Sequence, residues 1–262
     1  MKLFAIYVSA LRLIQWATLC SVLCGAIAQG AVEIIPVPST GADGPTASAT
    51  PFVFNAIQTS TRYQQVYDAA AFSAIGQEGG LITSLFWGSD LIFGRGDWGA
   101  YLPRVDILLA ITSRGPDQLS SIFAENLGAS PASIVHTGPL LLVSGGRGSR
   151  VDLPFQTPFS YNPANGNLLL EIRVYEPTCC IGVPQLNVGP LDAYDVIGDA
   201  VSRVYGGGVD ATAGSVDTLG LTTYFVVTPV PEPAAWLLAL LGLPICLAWR
   251  RRNRNTTTVA KD

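Results

Sequence analysis

From Arg62 to Thr228 the chain alternates between short runs of strand-forming residues and clusters of glycine, proline, asparagine and aspartate. The runs are Arg62–Asp68, Leu81–Trp87, Val105–Thr112, Ile134–Val143, Leu168–Tyr175, Val201–Tyr205 and Leu221–Thr228. Val, Ile, Thr, Tyr and Phe recur in them, side chains that suit a pleated surface. In Arg62-Tyr63-Gln64-Gln65-Val66-Tyr67, positions 63, 65 and 67 share one face and 62, 64 and 66 the other, which predicts a half-exposed strand. Ile107-Leu108-Leu109-Ala110-Ile111 is apolar throughout and predicts a strand covered on both faces. Asn165-Gly166-Asn167, between Phe159-Ser160-Tyr161 and Leu168–Tyr175, supplies residues that tolerate positive φ and predicts a turn. One short helix is expected at Leu119–Leu127. Many short strands joined by Gly- and Pro-rich turns predict an all-β fold, a β-sandwich or jelly roll spanning residues 51–229. Residues 29–50, rich in small and turn-forming types without periodicity, read as a flexible leader.

Charge separates this body from the two ends. Between Gln29 and Val230 there are 17 Asp and Glu against 8 Arg and no Lys, a net charge of −9. An acidic body argues against nucleic acid as a partner, because that binding depends on a cationic footprint. The other basic residues are Lys2 and Arg12 at one end and Arg250, Arg251, Arg252, Arg254 and Lys261 at the other. Lys2 and Arg12 precede an apolar run from Leu13 that ends in Ala26-Ile27-Ala28, the layout of a secretory signal peptide over residues 1–28. Its handlers would be the Sec machinery and a signal peptidase.

At the other end Pro231-Glu232-Pro233 is followed by uncharged Ala234–Trp249 and then by Arg250-Arg251-Arg252-Asn253-Arg254. Sixteen residues of helix span about 24 Å, short of a ~30 Å hydrocarbon core, so tilting is not needed and local thinning or snorkelling absorbs the difference. The arginines anchor the cytoplasmic side, which leaves the acidic body outside. This order of parts, Val230 to Arg254, resembles the PEP-CTERM sorting signal of Gram-negative bacteria. The resemblance implies an exosortase as partner, a transient single-pass stay in the inner membrane, processing near Pro231, Glu232 and Pro233, and a final location at the cell surface or outside it. Residues 255–262 then form a cytoplasmic tail. Arg62–Tyr67, Gly79-Gly80-Leu81-Ile82, Tyr161–Leu170 and Gly198–Tyr205 also look like segments of one group of PEP-CTERM proteins, and that group carries no activity to transfer.

Candidate chemistry is sparse. His136, the only histidine, lies in a strand-like run without a nucleophile elbow. Gly145-Gly146-Arg147-Gly148-Ser149-Arg150 lacks the lysine and helix of a phosphate loop and reads as a turn. Asp192, Asp195 and Asp199 are weak calcium candidates in a pattern that is not an EF-hand. Glu171 and Glu176 have opposite parity and do not make a facing carboxylate pair. Adjacent Cys179 and Cys180 are a candidate vicinal disulfide or two thiols. Trp87 and Trp98 are candidate glycan-stacking residues. The expectation is a non-enzymatic structural or adhesive protein of the envelope or extracellular matrix that needs no cofactor. An exopolysaccharide-binding domain is the alternative, and a polysaccharide-active enzyme the third reading.

Overall fold

The computed structural model describes residues 31–38, 47–49, 51–52, 60–76, 78–91, 96–175 and 189–230. The chain divides into two units, of which Val32–Pro229 contains all the described strands. The protein is all-β as expected. Its strands are β1 (Glu33–Val37), β2 (Ala47–Ala49), β3 (Thr61–Tyr67), β4 (Gly80–Gly88), β5 (Trp98–Thr112), β6 (Ser133–Ser144) and β7 (Arg150–Tyr161). They continue with β8 (Asn167–Val174), β9 (Leu191–Tyr194), β10 (Val201–Gly207), β11 (Ser215–Asp217), β12 (Gly220–Leu221) and β13 (Thr223–Pro229).

A four-stranded sheet has the order β1-β13-β4-β7, and a six-stranded sheet the order β11-β10-β3-β8-β5-β6. Every pairing is antiparallel. The two sheets share one apolar core, in which Leu85, Trp87, Leu153 and Phe225 of the first meet Tyr67, Ile107, Leu109 and Leu170 of the second. A three-stranded ribbon, β12-β9-β2, completes the body. Alternation along β4 and β13 sends Leu85, Trp87 and Phe225 into this core while Phe86 and Tyr224 face outward.

Four expectations change. β3 is not half-exposed: Tyr63 through Tyr67 are all buried. The cause is a second small core on the outer face of the six-stranded sheet, where Leu119 and Phe123 of the β5–β6 connection cover Val66, Ala110, Leu169 and Val204. That connection forms only a 3₁₀ turn at Phe123–Asn126 instead of the expected helix. Its backbone is diverted, since the Phe123 amide donates to Thr212 and Ser121 accepts from the Gly214 amide. The Ser120 and Asn126 side chains also compete for local amides there.

The leader expected over 29–50 contains β1, which pairs with β13 from Glu33 opposite Val227 to Val37 opposite Thr223. Its register puts the start of β1 beside the end of β13, so the body opens and closes at one end of the sheet. β7 runs through two prolines, Pro154 and Pro158, which hid it in the sequence. Prolines are tolerated there because β7 is an edge strand.

Candidate functional site

The segments that carried the second resemblance converge. Arg62–Tyr67, Leu168–Leu170 and Val201–Tyr205 lie in β3, β8 and β10, three consecutive strands of the six-stranded sheet. Gly80 pairs with Tyr161 across β4 and β7. On the outer side of β3, the Glu171 carboxylate accepts from Arg62 Nε at 2.8 Å, Arg173 Nε at 2.6 Å and Gln64 Nε2 at 2.7 Å. Gln64 Nε2 also donates to the Phe123 carbonyl, and Gln64 Oε1 accepts from Asn126. Arg62 reaches the Ala211 carbonyl and lies 4.6 Å over the Phe123 ring. Burial would raise the Glu171 carboxyl, but donation from Arg62, Gln64 and Arg173 outweighs it and holds the group below the ordinary carboxylate range. The cluster is a clasp that fastens two loops to the sheet.

A second polar group lies inside the shared core. Gln65 forms two bonds with the Leu221 backbone, donating to its carbonyl and accepting from its amide. Tyr63 donates to Gln65. The Thr223 hydroxyl meets Tyr67 Oη at 2.8 Å and accepts from Trp87 Nε1 at 3.1 Å. These bonds tie β3 to β12 and to the opposite sheet. Burial raises the Tyr67 phenol well above its ordinary value, so it stays a neutral partner. Nearby, Asn162 caps its turn by accepting from Ala164, and Asn167 accepts from Ala69 and donates to Arg114. The polar residues of the resembling segments are therefore occupied in building the body.

Trp87 corrects a sequence expectation. It is 0% exposed and packs edge-on against Phe52, so no ring face is open to a sugar. Trp98 is half-buried, donates to Ser89 Oγ, and has Gly189 pressed against its indole, where a Cβ would lie 2.4 Å from Nε1. The outward aromatic of β4 is Phe86, one residue before Trp87; the bulge between Ile82 and Ser84 breaks the alternation that would otherwise mark the core face. Phe86 stacks on Tyr224 with centroids 4.6 Å apart, and the Arg150 guanidinium lies 3.8 Å over it. Both faces of that ring are occupied.

The three aspartates do not converge on a common point. Asp192 accepts from the Leu91 amide, Asp195 from Thr218 Oγ1 and Asp199 from the Val201 amide. Among the described residues no group of three or more His, Cys, Asp or Glu is placed to hold a metal ion. Burial raises Asp192, with the Leu91 amide opposing and Asp90 adding to the shift. Asp199 is pushed up to about 6 by burial, with the Val201 amide opposing and the charges of Asp117 and Asp195 adding. Asp117, at φ 59, accepts from the Gly198 amide and so holds this turn.

His136 is buried on β6, and neither ring nitrogen has a hydrogen-bond partner among the described residues. The glycine-rich loop turns its polar groups on itself: Ser144 Oγ and Ser149 Oγ lie 2.8 Å apart, and the Gly146 amide donates to Ser144 Oγ. Cys179, Cys180 and Glu176 lie outside the described residues, as do Pro231, Glu232, Pro233, Arg250, Arg251, Arg252 and Arg254. The apolar segment Ala234–Trp249 does too; among the described residues no helix is long and apolar enough to cross a membrane. No protein-family model matches the chain, and no match was found among curated proteins.

Proposed function

We propose that this chain is an exported structural or adhesive protein of the cell envelope or extracellular matrix, a β-sandwich of the jelly-roll kind delivered through a PEP-CTERM-like tail. The observation that supports this reading most is where the compact body starts and stops. It runs from Val32 to Pro229, so cuts after Ala28 and at Pro231-Glu232-Pro233 would leave every described strand intact. The candidate groups inside the body are bound up in its construction: Glu171 in a three-donor clasp, Trp87 in the core, and Gln64 and Gln65 in ties between elements. Function would then reside in delivery and surface display. Fractionation of cells with and without residues 231–254, and with and without an exosortase, tests the proposal. Without the exosortase, surface protein should be lost and a longer, membrane-bound form retained; without residues 231–254, surface protein should be lost and the body left without its anchor. Unchanged location in both, with unchanged mass in the absence of the exosortase, would reject it.

A further inference from the structure

The outer face of the four-stranded sheet is apolar at the end where the chain leaves it. The β1 register, Glu33 opposite Val227, places Val32 opposite Thr228, which in turn pairs with Leu81. One row further on, Ile34 lies opposite Val226. Val32 is 62% exposed, Ile34 53% and Leu81 42%, and Val226 between them is half-buried. Large apolar side chains grouped on an exterior face mark an interaction surface. The outward positions of β1, β13 and β4 include no charged residue; Glu33, of the parity of the core-facing Ile35, is exposed at the first position of β1 between Val32 and Ile34. Arg150 and Asp152, an ion pair of β7, are the charges on that face, and they lie at its other end.

Chain length says what covers this patch. Thr228, in the first row, is followed by Pro229, and only residues 230–233 separate Pro229 from the uncharged run Ala234–Trp249. Five residue steps span no more than about 18 Å even when fully extended. If that run enters a bilayer, as the sorting reading holds, the patch lies within that reach of the lipid surface. We propose that Val32, Ile34 and Leu81 rest on the bilayer interface, so that the body leans on the membrane by this face until the tail is processed. The inference depends on the anchoring reading and adds the lipid surface as a partner of the body. A uniformly acidic face would be repelled by anionic lipid, whereas an uncharged one enters the interfacial zone.

The test uses the full chain reconstituted into vesicles of phosphatidylethanolamine and phosphatidylglycerol. An environment-sensitive fluorescent residue replaces Ile34, Leu81 or, as control, Leu141, which is 61% exposed on β6 of the other sheet. Circular dichroism checks that each variant folds. Emission at 34 and 81 should shift to the blue and lose intensity when doxyl-labelled lipid is included, while emission at 141 should do neither. If 34 and 81 behave like 141 in a chain that floats with the vesicles, the inference is overturned and the anchoring reading stands. A blue shift without lipid quenching that grows with protein density would assign the patch to a second copy of the chain, and also overturns it. Failure of the chain to float overturns the anchoring reading, and this inference with it.

Discussion

Replacing Glu171 by alanine should be among the most damaging substitutions in the body. The carboxylate is 2% exposed and takes three donors, from Arg62, Arg173 and Gln64. Removing one member of a buried ion pair costs about 3–5 kcal/mol, because the partners stay buried without compensation. Arg173 is 30% exposed and can rehydrate, whereas Arg62 at 11% cannot do so fully. That places Glu171→Ala toward the lower part of the range, at about 3–4 kcal/mol. The assay is urea unfolding of the full chain in detergent, followed by far-ultraviolet circular dichroism, with the midpoint lowered and the slope unchanged. The sign of the pH effect is also fixed. The folded carboxyl titrates below its ordinary value of 4.5, so its stabilising contribution is complete above that value and is lost as pH falls through the folded range. The gap between wild type and Glu171→Ala should therefore close on acidification. A loss below about 1 kcal/mol at neutral pH, the size of an exposed pair, would refute the clasp.

Asp199→Asn should do the opposite. Its folded carboxyl is pushed up to about 6, so ionisation opposes folding at neutral pH, and the amide keeps the acceptor for Val201. A gain of roughly 1 kcal/mol is expected at pH 7, after discounting for solvent screening of a part-exposed group, and it should vanish as pH falls below the ordinary value of 3.8; equal stability at pH 7 would contradict this. Gly79→Ala should cost about 2–3 kcal/mol, because φ is 77° and the new Cβ would lie 2.3 Å from the Tyr161 carbonyl oxygen. A thermal melt within a degree of wild type would show that the β4–β7 corner yields more easily than its geometry implies. His136→Leu should be neutral or stabilising, since it removes two buried nitrogens that have no partners among the described residues. A clear fall in the urea midpoint would mean that the imidazole has a partner in the folded protein.

The strand content could be read because alternation and turn residues are local signals. β3, β4, β6, β8, β10 and β13 all follow runs that the pattern marks. What could not be read depended on distant contacts. Nothing in Arg62–Tyr67 announces that Phe123, over fifty residues later, folds back to cover its polar face. β7 and β1 were missed because Pro154, Pro158 and Pro36 argue against strands unless the strand lies at an edge, and edges are a property of the whole sheet. Among site residues, Trp87 is a candidate by residue type alone. Phe86 and Trp87 have opposite parity on β4, and the bulge between Ile82 and Ser84 hides from the sequence which of the two faces the core. The clasp around Glu171 was beyond reach, since its four side chains are divided between β3 and β8, over a hundred residues apart in sequence.

Removal of the two ends and delivery of the body are read out together by the intact mass of the protein recovered from the cell exterior. The recovered chain should begin at Gln29 and end within or beside Pro231-Glu232-Pro233. Material outside the cell that still carries Met1 or the Arg250–Arg254 cluster would contradict it.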